Sequence, residues 1–188
     1  MAGHANLLII VGVDPATAIG KPRAMAAVSF KCADDRELLM WMPNRVKERL
    51  IHDRIEAWRA EFVSFLFTIE QVFFGLPDMV AIEDARPRGR GGANMQHLVS
   101  VLKEAAKELG IRVELIPPGT VKKCATGRGN AEAAEVAVIV RAEYKGAESI
   151  PIVVGEYDVE AAVAIAGAGY ALLQEEWLKE GENNGMVY

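Results

Sequence analysis

Five short apolar runs along the chain predict the strands of one buried sheet. Residues 7–13 (LLIIVGV) are continuously apolar and rich in β-branched side chains, which is typical of a strand covered on both faces. Shorter runs at residues 24–30 and 38–42 complete a predicted meander of three strands. Two later runs, residues 79–82 and 112–116, predict the remaining strands of the same sheet.

A long helix is predicted between the third and fourth strands. We expect Asn44 to cap its start, and Gly75 and Pro77 to end it. Between these signals, apolar residues recur every three or four positions, which is the spacing of one helix face. This stripe consists of Ile51, Ile55, Trp58, Phe62, Phe65, Ile69 and Phe73. We interpret the stripe as core. Its high aromatic content is also compatible with a dimer interface on this helix.

The second half of the chain predicts four further helices. Residues 94–109 form the first, and shorter ones cover residues 120–125 and 131–144, the latter capped by Asn130. The final helix starts near Asp158 and carries a face of alanines, whose small side chains allow close approach to the sheet. This order of elements predicts an α/β protein with a mixed five-stranded sheet and helices on both faces.

Length and composition suit one compact domain. The chain has 188 residues, 51% of them hydrophobic, which is enough to bury a sizeable core. We therefore predict a single domain over residues 1–188, with an acidic C-terminal tail at about residues 175–188.

The chain shows no sign of a membrane or export segment. No stretch approaches the roughly 18 to 20 apolar residues of a membrane span, and the first residues lack an apolar signal core. Cys32 and Cys124 have no metal-ligand spacing, so we expect free thiols, buried or incidental, in a reducing compartment. These features predict a cytoplasmic protein with no membrane partner.

The charge is unevenly distributed, which changes the meaning of the net charge of −5. Residues 86–130 contain nine Lys or Arg against three Glu, whereas residues 131–188 contain three Lys or Arg against eleven Asp or Glu. Because a polyanion responds to local potential, the basic middle can bind phosphates despite the overall sign. Solvated helix faces that simply differ in charge are the alternative explanation.

Three acidic residues stand out by their position in the predicted elements. Asp14 ends the first strand, Glu83 ends a later buried strand, and Asp158 opens the last long helix. Strand ends and helix starts converge on the crevice where open α/β sheets bind ligands. Each residue alone also has a structural explanation, as a turn former, an exposed strand end or a helix cap.

Such a group of carboxylates favours a bound cation. The charges would repel one another and raise each other's pKa unless a cation lay between them. Mg²⁺ suits such oxygen ligands, because it needs only a few carboxylates and keeps its remaining positions for waters and substrate phosphate oxygens. Two such ions about 4 Å apart can activate a water and stabilise the leaving oxygen of a phosphodiester.

Four segments carry a resemblance to a known family. They are IIVGVDPAT around Asp14, VAIED around Glu83, VKKCATGRGNAEAAEV from Val121, and YDVEAAVAIA around Asp158. In this order they resemble the RuvC family of Holliday-junction resolvases, a branch of the ribonuclease-H-like superfamily. The first segment alone is shared by many ribonuclease-H-like proteins, and the GRGNAE stretch makes the RuvC branch more specific.

The resemblance implies a fold, an activity and a set of site residues. It implies a ribonuclease-H-like fold and a homodimer that holds a four-way DNA junction, each subunit nicking one strand with Mg²⁺-activated water; we expect Mn²⁺ to substitute. Asp14, Glu83 and Asp158 match the metal-binding carboxylates of the family. Lys122 matches a basic residue near the scissile phosphate, and Lys123 serves instead or as well.

The chain departs from the family pattern at two positions. Ala161 stands where the family has a second acidic residue one turn after the position of Asp158. We expect Glu160 to supply this catalytic metal ligand if the helix begins late or is shifted, although an offset of two residues points away from that face. Asp84 or Glu156 could substitute for it.

The second departure concerns a family lysine in the segment that follows GRGNAE. Ala133 occupies that position here, so Arg128 is expected to supply the positive charge and to contact DNA.

The segment after the Glu83 strand is a predicted DNA-binding loop. Arg86, Arg88 and Arg90 alternate with glycine and proline in RPRGRGG. Glycines let the backbone approach a phosphate, and arginine side chains hold phosphate with two parallel hydrogen bonds. A purely solvated surface connection is the alternative.

The main hypothesis is a magnesium-dependent, structure-selective DNA endonuclease acting on four-way junctions. One alternative keeps the nuclease chemistry on other branched or RNA-containing substrates. Another alternative is a junction-binding protein without cleavage activity, because Ala161 replaces an acidic residue of the family pattern. A kinase-type nucleotide site is disfavoured because no second, duplicated domain is evident. The divergent final motif is compatible with a phage origin and leaves a bacterial origin open.

Overall fold

The sheet brings together strands from both halves of the chain. The computed structural model describes residues 7–16, 22–32, 34–45, 49–84, 92–152 and 156–183. The strands are β1 (Leu8–Asp14), β2 (Pro22–Cys32), β3 (Asp35–Arg45), β4 (Met79–Glu83) and β5 (Arg112–Ile116). Their order across the sheet is β3-β2-β1-β4-β5. β1, β2 and β3 pair antiparallel, whereas β4 pairs parallel with both β1 and β5.

Helices cover both faces of this mixed sheet, as predicted. They are α1 (Ile51–Phe73), α2 (Gly92–Glu108), α3 (Pro118–Thr126), α4 (Ala133–Glu143) and α5 (Asp158–Asn183). α1 and α2 form one core with one face, while α3, α4 and α5 form a second core with the other. A short 3₁₀ turn, Ala147–Ser149, lies between α4 and α5.

α5 lies unusually close to the central strand. A Cβ added to Gly12 of β1 would overlap the carbonyl oxygen of Ala162 and come within 2.7 Å of the amide nitrogen of Ala166. No side chain can therefore fit between this strand and the helix. Gly169, further along α5, lies against the side chains of Met79 and Ala81 of β4. Small residues thus let α5 pack against the sheet at the distance of backbone contact.

Two predicted helix starts are wrong. Asn44 lies in β3, opposite Arg23 of β2, and α1 begins only at Ile51 after Leu50. Pairing with the long β2 strand extends β3 further than local patterning suggests. Asn130 does not cap α4, because Glu132 occupies the cap and exchanges hydrogen bonds with Glu135 in a capping box.

The structure also describes part of the acidic C-terminal segment and both cysteines. α5 continues to Asn183, so the acidic segment from residue 175 is helical over its described part. Cys32 and Cys124 are free thiols and both are exposed. Across the described ranges, no helix combines the length and apolar character needed to cross a bilayer.

Candidate active site

Asp14 and Glu83 lie side by side at one edge of the sheet. They end the parallel neighbours β1 and β4, whose preceding residues Val13 and Ile82 are paired in register. Because side chains alternate along a strand, both carboxylates lie on the face that carries Ile10 and Ala81. That face packs against α5. The strand pairing therefore places two carboxylates next to each other on the α5 side.

Asp158 approaches the same edge from the helix layer. It is the first residue of α5, one turn before Ala162, whose carbonyl lies against Gly12. Gly12 is itself two residues before Asp14 on the same side of β1. The close contact between strand and helix thus fixes where the first turn of α5 lies relative to Asp14. The three predicted carboxylates are brought together by three separate elements.

The electrostatics of Asp14 reflect this arrangement. Burial raises the pKa of the Asp14 carboxyl well above its ordinary value, and the negative charges of Glu83 and Asp158 raise it further. The carboxylate therefore lies in a poorly hydrated place next to two like charges. A cation at this edge would remove that repulsion.

Lys122 lies close enough to Glu83 to alter its ionisation. Burial raises the pKa of Glu83, and the positive charge of Lys122 opposes that rise. Lys122 is half-buried on α3, which follows β5 directly, whereas its neighbour Lys123 is exposed. The sequence left both lysines open as candidates, and the geometry brings Lys122 to the carboxylate edge.

The donor chemistry at this edge fits a hard divalent cation. Within the described ranges, no three Asp, Glu, His or Cys side chains enclose a position for one ion. Mg²⁺ does not require such a cage, since it binds through one or two carboxylates and completes its octahedron with waters and phosphate oxygens. Burial raises the pKa of both Asp14 and Glu83, and the charges of Glu83 and Asp158 raise that of Asp14 further, which suits such partial coordination.

Glu160 does not join this group. Its carboxylate is 3% exposed and accepts hydrogen bonds from Nε and Nη2 of Arg141 on α4, the first at 2.9 Å. Two residues along a helix correspond to a rotation of about 200°, so Glu160 faces α4 while Asp158 faces β1. α5 begins at Asp158, so the late start that would have turned Glu160 toward the metal does not occur. The expected role of Glu160 as the fourth ligand does not fit this contact.

The remaining predicted residues fall in different surroundings. The Arg128 guanidinium is exposed and paired with Glu135 at 2.7 Å. Asp84 directly follows Glu83, and its amide donates to the Ile116 carbonyl. Glu156 is half-buried just before α5. Arg86, Arg88 and Arg90 lie outside the described residues.

Two residues that pack close to the site were not singled out in the sequence. Gly12 reads as one more small residue in the apolar run LLIIVGV, and only the helix packed on it shows why no larger residue fits. Arg141 directly follows the apolar run VAVIV, and a charge at the end of that run was the available signal. Its partner is 19 residues away, a distance that helix periodicity does not reveal.

Comparison with known proteins identifies the fold. No protein-family model matches the chain. Two curated relatives, from Corynebacterium glutamicum and Corynebacterium efficiens, are named crossover junction endodeoxyribonuclease RuvC. Each is 38% identical over 66 residues, which are 34% of this chain and only 30% of the relative.

Solved structures match over most of the chain. Thermus thermophilus RuvC has a TM-score of 0.68 at 21% identity, covering 89% of this chain and 97% of that one. The same protein in complex with a Holliday junction substrate has a TM-score of 0.70 at 24% identity, covering 89% and 96%. This chain has the fold of RuvC. The predicted resemblance to RuvC and the ribonuclease-H-like fold class are thereby confirmed.

A more distant structure has the same architecture. The human cytomegalovirus terminase nuclease domain, soaked with manganese, has a TM-score of 0.53 at 11% identity, covering 92% of this chain and 86% of that one. The structures similar to this chain therefore include nucleases of different kinds. At these identities the match describes the fold, and the activity has to be argued from the site.

Proposed function

We propose that this chain is a magnesium-dependent endodeoxyribonuclease that resolves four-way DNA junctions by paired nicks as a homodimer. One observation carries the proposal: Asp14, Glu83 and Asp158 meet at one edge of a RuvC-type fold. The curated relatives with this name match 66 residues, so junction resolution is inferred from a partial match together with the fold. The protein would act in the cytoplasm of a bacterial cell or a phage-infected host.

The three carboxylates would hold the metal. Asp14 and Glu83 offer neighbouring oxygens from paired strands, and Asp158 offers one from the helix above them. When bound, Mg²⁺ or Mn²⁺ lowers the pKa of a water and neutralises charge on the phosphate. The carboxylates orient the ion, and the low hydration around Asp14 strengthens its attraction for a cation. Glu160 is left out of this set because Arg141 already holds it.

Lys122 would act on the substrate. It lies beside Glu83 at the edge where the phosphodiester must enter, and its ammonium group can contact a phosphate oxygen there. Exposed Lys123 and Arg128 would extend the positive surface along the DNA backbone, with Arg128 exchanging Glu135 for a phosphate.

We propose that Arg86, Arg88 and Arg90 contribute further backbone contacts. Replacing all three by alanine should reduce the salt dependence of junction binding, because fewer counterions are released. Binding would be measured by fluorescence anisotropy between 50 and 200 mM salt, a range over which about six to ten phosphate contacts change affinity by roughly 10³- to 10⁵-fold. An unchanged slope would exclude these three arginines from the DNA interface.

The proposed homodimer has a candidate surface on α1. The predicted apolar stripe is largely core, since Trp58, Phe62 and Phe65 are buried. The same helix and its C-terminal cap expose Phe67, Val72 and Phe74, the last at 96%. Apolar surface of this kind marks interaction sites when it is contiguous. Phe74→Asp should shift the protein toward monomer in sedimentation velocity, and an unchanged dimer would exclude this face.

The deciding experiment compares DNA structures. A synthetic four-way junction, a duplex and a single strand are incubated with Mg²⁺ and either wild type or Asp14→Asn. We expect symmetric nicks in the junction alone, and their loss in the variant. Cleavage of duplex as readily as junction would exclude a resolvase while sparing a nuclease, and would leave other branched or RNA-containing substrates as the alternative.

A second candidate function rests on Ala161. The side chain one turn after Asp158 carries no carboxylate, and Glu160 does not replace it. A junction-binding protein without cleavage would show tight binding and intact DNA in the same experiment. Ala161→Asp would then separate the two functions, because gain of cleavage in this variant indicates that the missing carboxylate alone prevents it.

A further inference from the structure

Arg141 ties together three parts of the chain around Glu160. Its Nε and Nη2 atoms both donate to Oε1 of Glu160, and Nη1 donates to the carbonyl of Ile150 at 2.9 Å. Nη2 also reaches the carbonyl of Pro151 at 3.3 Å. One guanidinium therefore joins α4, the connection before α5, and the first turn of α5.

Among the arginine–glutamate pairs of the described structure, this contact and Arg23–Glu61 are the most buried. The Glu160 side chain is 3% exposed and Arg141 is 23% exposed, whereas both partners of the Arg59–Glu108 pair are more than 40% exposed. A carboxylate buried to this extent must stay paired, since an isolated buried charge is strongly destabilising. The pair therefore fixes its surroundings more firmly than a surface ion pair does.

The first turn of α5 is held from two sides. On one side the carbonyl of Ala162 lies against Gly12 of β1. On the other, Arg141 holds Glu160, which is two residues after Asp158. The position of Asp158 depends on how this turn is placed between the strand and α4.

We infer that Arg141 and Glu160 are a positioning pair that sets the location of Asp158, and that Glu160 binds no metal. The inference rests on the proposed function, in which Asp158 is a metal ligand. The role of Glu160 then follows from its contact with Arg141 and not from its position in the sequence motif. A role in holding Arg141 also explains why a carboxylate occurs two residues after Asp158, on the face of α5 that points away from Asp14 and Glu83.

The test measures Mn²⁺ binding to the protein without DNA, by titration calorimetry. Loss of groups that orient metal ligands weakens affinity by about 10- to 100-fold, and we expect Arg141→Met to fall in that range. Glu160→Gln keeps an oxygen that can accept from Arg141, so it should weaken binding much less. Asp158→Asn is the reference for loss of a ligand.

Arg36→Met is the matched control. Arg36 also joins a different element to α4, through Glu143 at 2.8 Å, and at 28% exposure it is buried about as much as Arg141. It should cost stability and leave Mn²⁺ affinity unchanged. The inference is overturned if both arginine variants weaken binding equally. It is also overturned if Glu160→Gln behaves like Asp158→Asn while Arg141→Met binds normally.

A second measurement is independent of metal. The amide of Ala161 donates to the carbonyl of Tyr157 at 2.8 Å, at the start of α5. Hydrogen exchange there should be faster in Arg141→Met than in Arg36→Met. If wild type binds neither Mn²⁺ nor a junction, the proposed function has failed, and the exchange rates still decide whether the pair holds this turn. Equal rates in the two variants would overturn the inference.

Discussion

The two faces of the sheet are packed in opposite ways. On the α1 face the space is filled by large side chains, among them Trp58, Phe62 and Phe65, which are buried almost completely. On the α5 face the helix lies against β1 through Gly12 and the backbone of Ala162. Asp14, Glu83 and Asp158 all belong to the second face.

Because of this difference, one face contributes mainly to the stability of the fold and the other mainly to the geometry of the candidate site. Burial of large apolar side chains is non-directional, and such a core adjusts to moderate changes of shape. A contact between backbone atoms cannot adjust without moving a whole element. We therefore expect the α1 face to supply much of the free energy of folding, and the α5 face to set the distances among the carboxylates.

The largest expected effect on stability belongs to the α1 face. Phe62→Ala removes a fully buried ring and should lower the free energy of unfolding by about 3–5 kcal/mol, as measured by urea denaturation. Phe62→Leu is the milder variant if alanine prevents folding. Mn²⁺ affinity of the folded variant should equal that of wild type. A large loss of affinity would show that the two faces are not separable.

Gly12→Ala should have the opposite pattern of effects, with a smaller loss of stability and a larger loss of Mn²⁺ affinity than Phe62→Ala. Its added methyl overlaps the carbonyl of Ala162, so α5 must shift, at a cost of about 1–3 kcal/mol. Because the shift displaces Asp158, Mn²⁺ affinity should fall by at least about tenfold, the lower end for changes that misorient metal ligands.

Gly169→Ala is the control for this change. A methyl there would approach the terminal carbon of Met79 at 2.6 Å, and that flexible side chain can move aside. It would also lie 3.0 Å from the Cβ of Ala81, a tight side-chain contact that needs a far smaller shift than the backbone overlap at Gly12. Its Mn²⁺ affinity should stay near that of wild type. If Gly169→Ala weakens binding as much as Gly12→Ala, the close approach at Gly12 has no special role.

Asp14→Asn should stabilise the metal-free protein at neutral pH. The folded state binds the Asp14 proton more tightly than the unfolded chain does, because burial and two neighbouring charges raise the pKa of Asp14 above its ordinary value of 3.8. Ionisation therefore favours unfolding, and stability is lost as pH rises from that value through the raised pKa. Each kcal/mol regained should raise Tm by about 2–4 °C.

The measurement is thermal unfolding in EDTA at several pH values. The gain of Asp14→Asn should be present at pH 7 and should vanish below about pH 3, where the aspartate is protonated in both states. With Mg²⁺ added, wild type should recover stability and the variant should not. Asp53→Asn, at the exposed start of α1, should give no gain at either pH. A destabilised Asp14→Asn protein in EDTA would contradict the proposed repulsion.

Much of the fold could be predicted from local patterns. β5 was predicted with its observed bounds, and α5 with its observed start, because periodicity and flanking residues decide such elements. Asn44 was misassigned because β3 is extended by pairing with β2, where Asn44 lies opposite Arg23, and a local helix-capping signal does not contain this pairing. Helix starts are set by tertiary pairing as well as by capping propensity.

The site could be predicted only in part, for a similar reason. Asp14, Glu83 and Asp158 end or begin regular elements, and the topology of α/β sheets brings such positions together. Glu160 was assigned by its distance along the motif, whereas in the structure the buried Glu160 side chain contacts Arg141. Gly12 was missed because its importance lies in the helix that packs on it. The spacing of residues in the motif does not determine which side chains meet, because this depends on contacts between elements that are distant in sequence.

The smallest expected effect concerns Lys122, which lies on the α5 side of the sheet. Lys122→Met removes the charge that opposes the rise of the Glu83 pKa, so that pKa should rise further in the metal-free protein. Carbon-13 NMR titration of the glutamate carboxyls would measure it. Lys123→Met removes the same charge from the neighbouring, exposed position and should leave Glu83 unchanged. If both variants shift Glu83 equally, the effect reflects net charge alone. If only Lys122→Met does, α3 places a cation specifically at the carboxylate edge, and the α5 face then determines the charge of the site as well as its distances.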